Sequence, residues 1–205
     1  MSSSVWPMLA AERAALVDYL PTLSEADWGR PSACAGWSVR DQVAHVVAGA
    51  KTTPLTFGPS LIRSGFSFDK LGARGIEQQR DATTKELTES LRSRINAKTL
   101  PGSAYLGEIV VHGEDIRHGV GAPPGDHAAA HLVAVADYYK KSGAPVRGKQ
   151  RVVGLKLTAT DVAWTTGEGP EVKGALVLLI MAMCGREFAV EGLTGPGVEQ
   201  LAARM

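Results

Sequence analysis

Two acid and histidine pairs with the same spacing lie within the stretch GEIVVHGEDIRHGVG, residues 107–121. They are Glu108 with His112 and Glu114 with His118. An α-helix has about 3.6 residues per turn, so side chains four positions apart share one face and could bind one metal ion. A metal held by imidazole and carboxylate groups is a Lewis acid that lowers the pKa of a bound water or thiol. The chemistry therefore depends on which pair binds a metal.

The apolar residues of this stretch favour Glu108 and His112 as the inward-facing pair. At about 100° per residue, Ile109 falls on the same side of the helix as these two residues. Glu114 and His118 fall on the opposite side, where a bundle helix normally meets water. A buried carboxylate must be paired or bound to a cation, because an unpaired buried charge is costly. Periodicity alone leaves two interpretations of the inward pair open, a hydrogen-bonded pair and a metal site.

A catalytic zinc site usually has three protein ligands and one open position, so a third ligand must come from another helix. His45 is the candidate. His127 and His131 follow a Gly- and Pro-rich break and are more typical of surface or bundle-edge residues. His45 does not lie on the valine stripe of its own helix, so the pattern by itself indicates a surface histidine.

Composition excludes several classes of protein. The 205 residues suffice for one large domain, or for a main domain with a small second one. The balance of 22 basic and 21 acidic residues predicts neither a nucleic-acid partner nor an anionic membrane surface. The longest apolar run, ALVLLIMAMC, is about half of a membrane span. Cys34 and Cys184 lack a CxxC spacing, so we expect two reduced thiols in a soluble cytoplasmic protein.

Helical periodicity predicts a bundle over residues 1–145. Ser38 and Asp41 have the spacing of a capping box at the start of one helix, where Trp37 is expected to pack. The segment TTPLTFGPSLIRSGFSF is interpreted as a loop, and a long polar helix is predicted after it. A further helix is predicted after Asp126, in HAAAHLVAVADYYKK. The four preceding helices are expected at about residues 8–20, 39–50, 69–97 and 105–120.

The character of the sequence changes at about residue 146. RVVGLKLTATDVAWTTG alternates and is rich in Val and Thr, while PEVKG and EFAVEGL are short strand candidates. Between these candidates, GALVLLIMAMCGR is typical of an apolar helix that is covered on most sides. We therefore predict a mainly α protein, with a helical bundle at 1–145 and a small α+β unit at 146–205.

Three segments resemble motifs of a known family. CAGWSVRDQVAHVVAGA, residues 34–50, resembles the first motif of the mycothiol-dependent maleylpyruvate isomerase family, which belongs to the DinB-like superfamily of metal-binding four-helix bundles. GEIVVHGEDIRHGVG resembles its second motif, and MCGREFAVEGLTGPGVEQLAAR resembles the end of its small C-terminal domain. The resemblance covers nearly the whole chain. It implies a DinB-like four-helix bundle followed by a small α+β unit.

The resemblance also implies a set of metal ligands. In the family, a Trp, a small hydroxyl residue and a Val open the helix that carries one ligand histidine. A later E-x-x-x-H-x-x-D helix supplies a glutamate and a second histidine. On this sequence the ligands fall on His45, Glu108 and His112, and Asp115 is the aspartate that follows.

The function implied by the resemblance is that of a metal-dependent, thiol-using enzyme. The expected cofactors are a divalent metal ion, with zinc as the expected element, and mycothiol, whose sulfur binds the metal as a nucleophilic thiolate. Such a thiolate can add to a conjugated double bond and leave, which isomerises the bond, or it can stay attached, which is S-transfer. The expected partners are this small thiol and a small electrophilic substrate, and the expected state is a monomer or a homodimer.

The family's isomerase uses cationic groups to bind its dicarboxylate substrate. Arg186 in CGREF is the candidate catalytic residue here, and Arg117 is a second candidate. Arg186 could instead bond backbone carbonyls at the end of a helix. The alternative function is that of a non-catalytic metal- or ligand-binding protein of DinB-like fold.

Overall fold

The structure, a computed structural model, describes residues 4–99 and 101–205 of the chain. The chain divides into two compact units, with the boundary between Gly125 and Asp126. The predicted boundary after residue 145 differs from this division. The helix after Asp126 belongs to the second unit, because it packs against the apolar helix of that unit. The fold is mainly α, with a small α+β second unit, as predicted.

The first unit contains seven α-helices among its described residues, and one short 3₁₀ helix at Leu20–Thr22. The α-helices are α1 (Val5–Tyr19), α2 (Glu25–Trp28), α3 (Val39–Lys51), α4 (Pro54–Arg63), α5 (Phe68–Glu77), α6 (Thr84–Arg92) and α7 (Gly102–Val120).

Helices α1, α3, α6 and α7 form a four-helix bundle. Helix α1 packs against α6 and α7, and α3 packs against the same two helices, so the four helices surround one core. Helix α5 lies along the outside of α3. Apolar side chains fill the space between the bundle helices, among them Leu16, Val43, Val47, Leu91 and Val110.

The start of α3 follows the predicted capping box. The Ser38 side chain accepts a hydrogen bond from the Asp41 backbone N–H at 3.1 Å, and the Asp41 carboxylate accepts one from the Ser38 N–H at 3.0 Å. Helix α7 ends at Gly121, whose φ of 73° is left-handed and is accessible to glycine without strain.

Two predictions about the middle of the chain were wrong. The helix predicted over 69–97 is divided into α5 and α6, because Thr83 forms a capping box with Glu86 and starts a new helix there. The segment interpreted as a loop contains α4, which begins with a capping box of Thr53 and Thr56 and with Pro54 at its first position. A local capping box marks the first turn of each of these two helices. The prediction, which relied on longer helical patterns, did not take these capping boxes into account.

The second unit combines short helices with one small sheet. Its helices are α8 (Ala129–Tyr139), α9 (Gly148–Val152), α10 (Leu176–Met183) and α11 (Val198–Ala202). Strand β1 (Lys156–Ala159) is central, antiparallel to β2 (Thr165–Thr166) and parallel to β3 (Glu171–Gly174). Helix α10 is the predicted apolar helix and is buried over most of its length.

The strand predicted at EFAVEGL is instead a 3₁₀ helix, Glu187–Gly192. Its backbone bonds are local, since Ala189 N–H donates to the Arg186 carbonyl and Leu193 N–H donates to the Val190 carbonyl. A short apolar run cannot be assigned to strand or helix by periodicity alone, which explains the error. Across the described ranges 4–99 and 101–205, every helix is too short or too polar to cross a membrane.

Candidate metal centre

Helices α3 and α7 bring His45, Glu108 and His112 together, the three residues that the family resemblance implied. The Nε2 atom of His45 lies 3.3 Å from Oε2 of Glu108, and Nε2 of His112 lies 3.1 Å from the same oxygen. One potential ligand atom from each residue lies within 4.8 Å of the others. Two imidazoles and one carboxylate thus converge from two neighbouring helices.

The three side chains differ in their access to solvent. The Glu108 side chain is 39% exposed, that of His45 is 23% exposed, and that of His112 is 10% exposed. The cluster is therefore closed at His112 and open at Glu108. A small molecule could approach the three donor atoms from the Glu108 side without unfolding the bundle.

Asp115 orients His112 through a hydrogen bond to the ring nitrogen that does not contact Glu108. The Nδ1–H of His112 donates a hydrogen bond to Oδ2 of Asp115 at 3.0 Å, and Asp115 is completely buried. A carboxylate can only accept at this position, so it keeps a proton on Nδ1 and directs Nε2 into the cluster. Carboxylate partners of this kind orient metal-binding histidines and make them more basic.

The charges within the cluster reinforce one another. Burial by itself raises the pKa of Glu108, but His112 and His45 outweigh this effect, so the pKa of this carboxyl lies well below its ordinary value. Burial by itself lowers the pKa of His112, but Glu108 and Asp115 outweigh it and raise the pKa to about 9. At neutral pH the cluster without a metal is therefore an imidazolium and carboxylate pair.

Trp37 and Gly72 pack against His45, the histidine that α3 contributes to the cluster. The Trp37 ring lies 4.9 Å from the His45 ring, centroid to centroid. Helix α5 passes close to both rings, since a Cβ atom at Gly72 would lie 3.5 Å from Nδ1 of His45 and 3.6 Å from the Trp37 ring. Trp37 was expected only to pack at the start of α3. Its contact with His45 could not be predicted because it depends on how the loop before α3 folds back.

The second acid and histidine pair of α7, Glu114 and His118, was expected to face water, and only one of the two residues does. His118 is exposed, as expected, but Glu114 is 5% exposed although it was expected to face water. The chain turns back after α7, and Oε1 of Glu114 accepts a hydrogen bond from the Gly125 N–H at 2.8 Å. Glu114 thus binds the last residue of the first unit and is not part of the metal cluster.

The arginine candidates are engaged elsewhere in the fold. Arg117 lies over the Tyr19 ring, 3.9 Å from its centroid. In the second unit, Nη1 of Arg186 donates to the Cys184 carbonyl at 3.1 Å, which is the backbone bonding that the sequence left open. A catalytic role for Arg186 stays a prediction. His127 and His131 both belong to the second unit.

The fold and the cluster define a class of protein, a four-helix bundle with a candidate metal site between two of its helices and a small α+β unit after it. Residues 9–99 match the family model described as the mycothiol maleylpyruvate isomerase N-terminal domain. The matched residues lie within the first unit of the chain. His45 lies within the matched residues, whereas Glu108 and His112 lie beyond them.

Two solved structures share the fold over most of the chain. A crystal structure of the mycothiol-dependent maleylpyruvate isomerase is 18% identical, with a TM-score of 0.65, and the match covers 94% of this chain and 91% of that one. A histidine-to-alanine mutant of a mycothiol-dependent maleylpyruvate isomerase is 15% identical, with a TM-score of 0.64 and the same coverage. No relative among the curated proteins matches this chain.

Proposed function

We propose that this protein binds one divalent metal ion through His45, Glu108 and His112 and uses mycothiol to act on a small electrophile. The reaction is an isomerisation or an S-transfer. The observation that carries the proposal is the convergence of the three donor atoms within 4.8 Å of one another. The similar crystal structures are those of mycothiol-dependent maleylpyruvate isomerases, which makes mycothiol and maleylpyruvate the first pair to test.

The donor set fits a catalytic zinc ion. Two imidazole nitrogens and one carboxylate are a common ligand set for zinc enzymes, in which the fourth position is left to water or substrate. The proton that Asp115 keeps on Nδ1 of His112 leaves Nε2 as the ligand atom. The exposure of Glu108 provides a route for the thiol and the substrate.

The metal ion and the residues outside the cluster have separate tasks in the proposed reaction. A divalent metal bound here supplies Lewis acidity, which lowers the pKa of a thiol so that a nucleophile is available at neutral pH. Trp37 and the backbone of α5 at Gly72 pack against the His45 ring and restrict its orientation. Asp115 holds the His112 ring in place. Arg186 is our proposed contact for a negatively charged group of the substrate.

The test of the proposal is spectroscopic. Mycothiol added to cobalt-substituted protein is expected to produce a sulfur-to-metal charge-transfer band near neutral pH, below the free thiol pKa of about 8.5. His45→Ala should remove the band because it removes one ligand, whereas His118→Ala should keep it. Protein that retains its cobalt but shows no band up to a pH of about 9 would be a non-catalytic metal-binding protein instead.

A second expectation concerns the carboxylate ligand. Glu108→Gln should weaken metal retention while the far-UV circular dichroism stays helical, because the change removes a charge but keeps the volume. Glu89→Gln on the exposed face of α6 is the matched control and should retain the metal. A Glu108→Gln protein that loses its helical signal together with its metal would show that the site is needed for folding.

A further inference from the structure

Helix α4 and the turn after it present apolar side chains to solvent. Of the five large apolar side chains that are exposed in the described part of the chain, four lie between residues 55 and 68, namely Leu55, Ile62, Phe66 and Phe68. Leu55 is 88% exposed and Phe66 is 70% exposed, so these side chains protrude from the surface. Single exposed apolar residues are ordinary, but a group of them is typical of a binding surface. We call these four residues the α4 patch.

Helix α4 is apolar on two opposite sides. Phe57 and Leu61 lie on the side that is partly buried, and α4 packs against α5. At about 100° per residue, the exposed residues Leu55, Pro59 and Ile62 fall within about 60° of one another on the other side. Packing within the first unit therefore accounts for only one of the two apolar sides. An apolar outer side on a surface helix indicates a further partner.

The conformation of Phe66 is not explained by the packing of the chain. Its φ is 59°, in the left-handed region that bulky residues rarely adopt. Its N–H donates to the Leu61 carbonyl at 3.0 Å just after the end of α4, a bond that glycine or asparagine would make with less strain. The ring is largely exposed, so burial within the chain does not offset this strain. The ring is instead available for a contact outside the chain.

Basic side chains surround the α4 patch. Residues 51–74 contain one acidic residue, Asp69, and four basic residues, Lys51, Arg63, Lys70 and Arg74. All four basic residues are exposed, and Arg63 directly follows Ile62 at the edge of the outer apolar side. The near balance of 22 basic and 21 acidic residues in the whole chain, from which no anionic membrane partner was predicted, conceals this local excess. The patch is thus apolar at its centre and positive around it.

We infer that the α4 patch docks on an anionic lipid surface, with α4 lying in the plane of the headgroups. The apolar side chains enter the boundary of the acyl chains, and the basic side chains contact the lipid phosphates. Helix α4 has 10 residues, which suffice to lie on a bilayer but not to cross it. Protruding side chains can enter a fluid lipid layer, whereas a protein partner would need a groove of matching shape.

The charge around the patch disfavours a second copy of this chain as its partner. In a symmetric dimer the same patch meets itself, so the like charges of both copies would lie together. An anionic bilayer supplies negative groups and an apolar phase within one surface. It therefore matches both properties of the α4 patch.

Flotation of the protein with lipid vesicles measures this docking. Vesicles of phosphatidylglycerol and phosphatidylcholine in equal parts should bind the wild type about tenfold or more tightly than vesicles of phosphatidylcholine alone. The binding should fall as the salt concentration rises from about 50 to about 500 mM. Phe66→Asn should weaken it about tenfold. The thermal stability of this variant should equal or exceed that of the wild type, because asparagine tolerates the left-handed backbone.

Matched variants separate the α4 patch from general surface effects. Val153→Ser removes the fifth exposed large apolar side chain, which lies in the second unit, and should leave the binding unchanged. Arg63→Gln combined with Lys70→Gln should weaken the binding about tenfold and reduce its salt dependence. Lys85→Gln combined with Lys149→Gln removes the same charge from exposed positions outside residues 51–74 and should weaken it less.

Four results would overturn the inference. The first is a wild type that binds phosphatidylcholine vesicles as well as anionic ones, and the second is a Phe66→Asn protein that binds anionic vesicles as tightly as the wild type. Binding of polyglutamate but of neither kind of vesicle would assign the α4 patch to an acidic protein. Sedimentation without lipid provides the last test, because a dimer that Phe66→Asn dissociates would assign the patch to a second copy of the chain.

Discussion

His112→Ala is expected to abolish stoichiometric metal binding, whereas His118→Ala should leave about one divalent ion per chain. The two histidines lie on the same helix, six residues apart, but they face different surroundings. His112 is buried and points its Nε2 at Glu108, while His118 is exposed near the end of α7. A zinc site that loses one of three protein ligands loses most of its affinity.

Elemental analysis of the purified variants, after dialysis against buffer without metal, measures this difference. His118→Ala removes an exposed side chain and should keep the wild-type stability. His112→Ala leaves the buried Asp115 carboxylate without its imidazole partner and should lower the stability, so circular dichroism first establishes that this variant is folded at the temperature of the metal analysis. Loss of metal in His118→Ala together with its retention in His112→Ala would mean that α7 presents the opposite face to the metal. That result would also contradict the assignment of Glu108.

Asp115→Asn is expected to lower the metal affinity by about 10- to 100-fold while the bundle stays folded. The substitution keeps the shape of the side chain but removes the negative charge that makes His112 more basic. An asparagine can also present its amide to Nδ1 of His112, which would favour the wrong tautomer. A competition titration with a chelator measures the affinity, and NMR of the ring nitrogens reports the tautomer of His112.

Asp41→Asn is the matched control for this change. It removes a half-buried carboxylate from the capping box of α3, which weakens the start of the helix without changing a residue of the cluster. We therefore expect it to lower the thermal stability and to keep the metal affinity. Asp115→Asn should show the reverse pattern. If both variants lower only the stability, Asp115 serves the fold and does not orient a ligand.

The sequence by itself identified the two residues of the cluster that lie on one helix. Glu108 and His112 are four residues apart, and helix geometry makes such residues neighbours whatever the rest of the chain does. The capping box of Ser38 and Asp41 was predictable for the same reason, because all its hydrogen bonds lie within one turn. The apolar α10 was predictable from its length and composition.

Periodicity failed for His45, which it indicated as a surface residue. Only the family resemblance pointed to it, since its partner lies 63 positions later in the chain. The side chain lies between α3 and α7 next to Trp37, a position set by the packing of two helices with α5. No pattern within α3 contains that information.

The tertiary structure decided the features that depend on how separate segments meet. The burial of Glu114 follows from the return of the chain after Gly121. The relative register of α3 and α7 determines both the donor cluster and the contact of Tyr105 with Gly49. The spacing of residues along one helix is a local property that can be read directly from the sequence. The register between helices depends on side-chain packing across the whole core, so it became visible only in the folded chain.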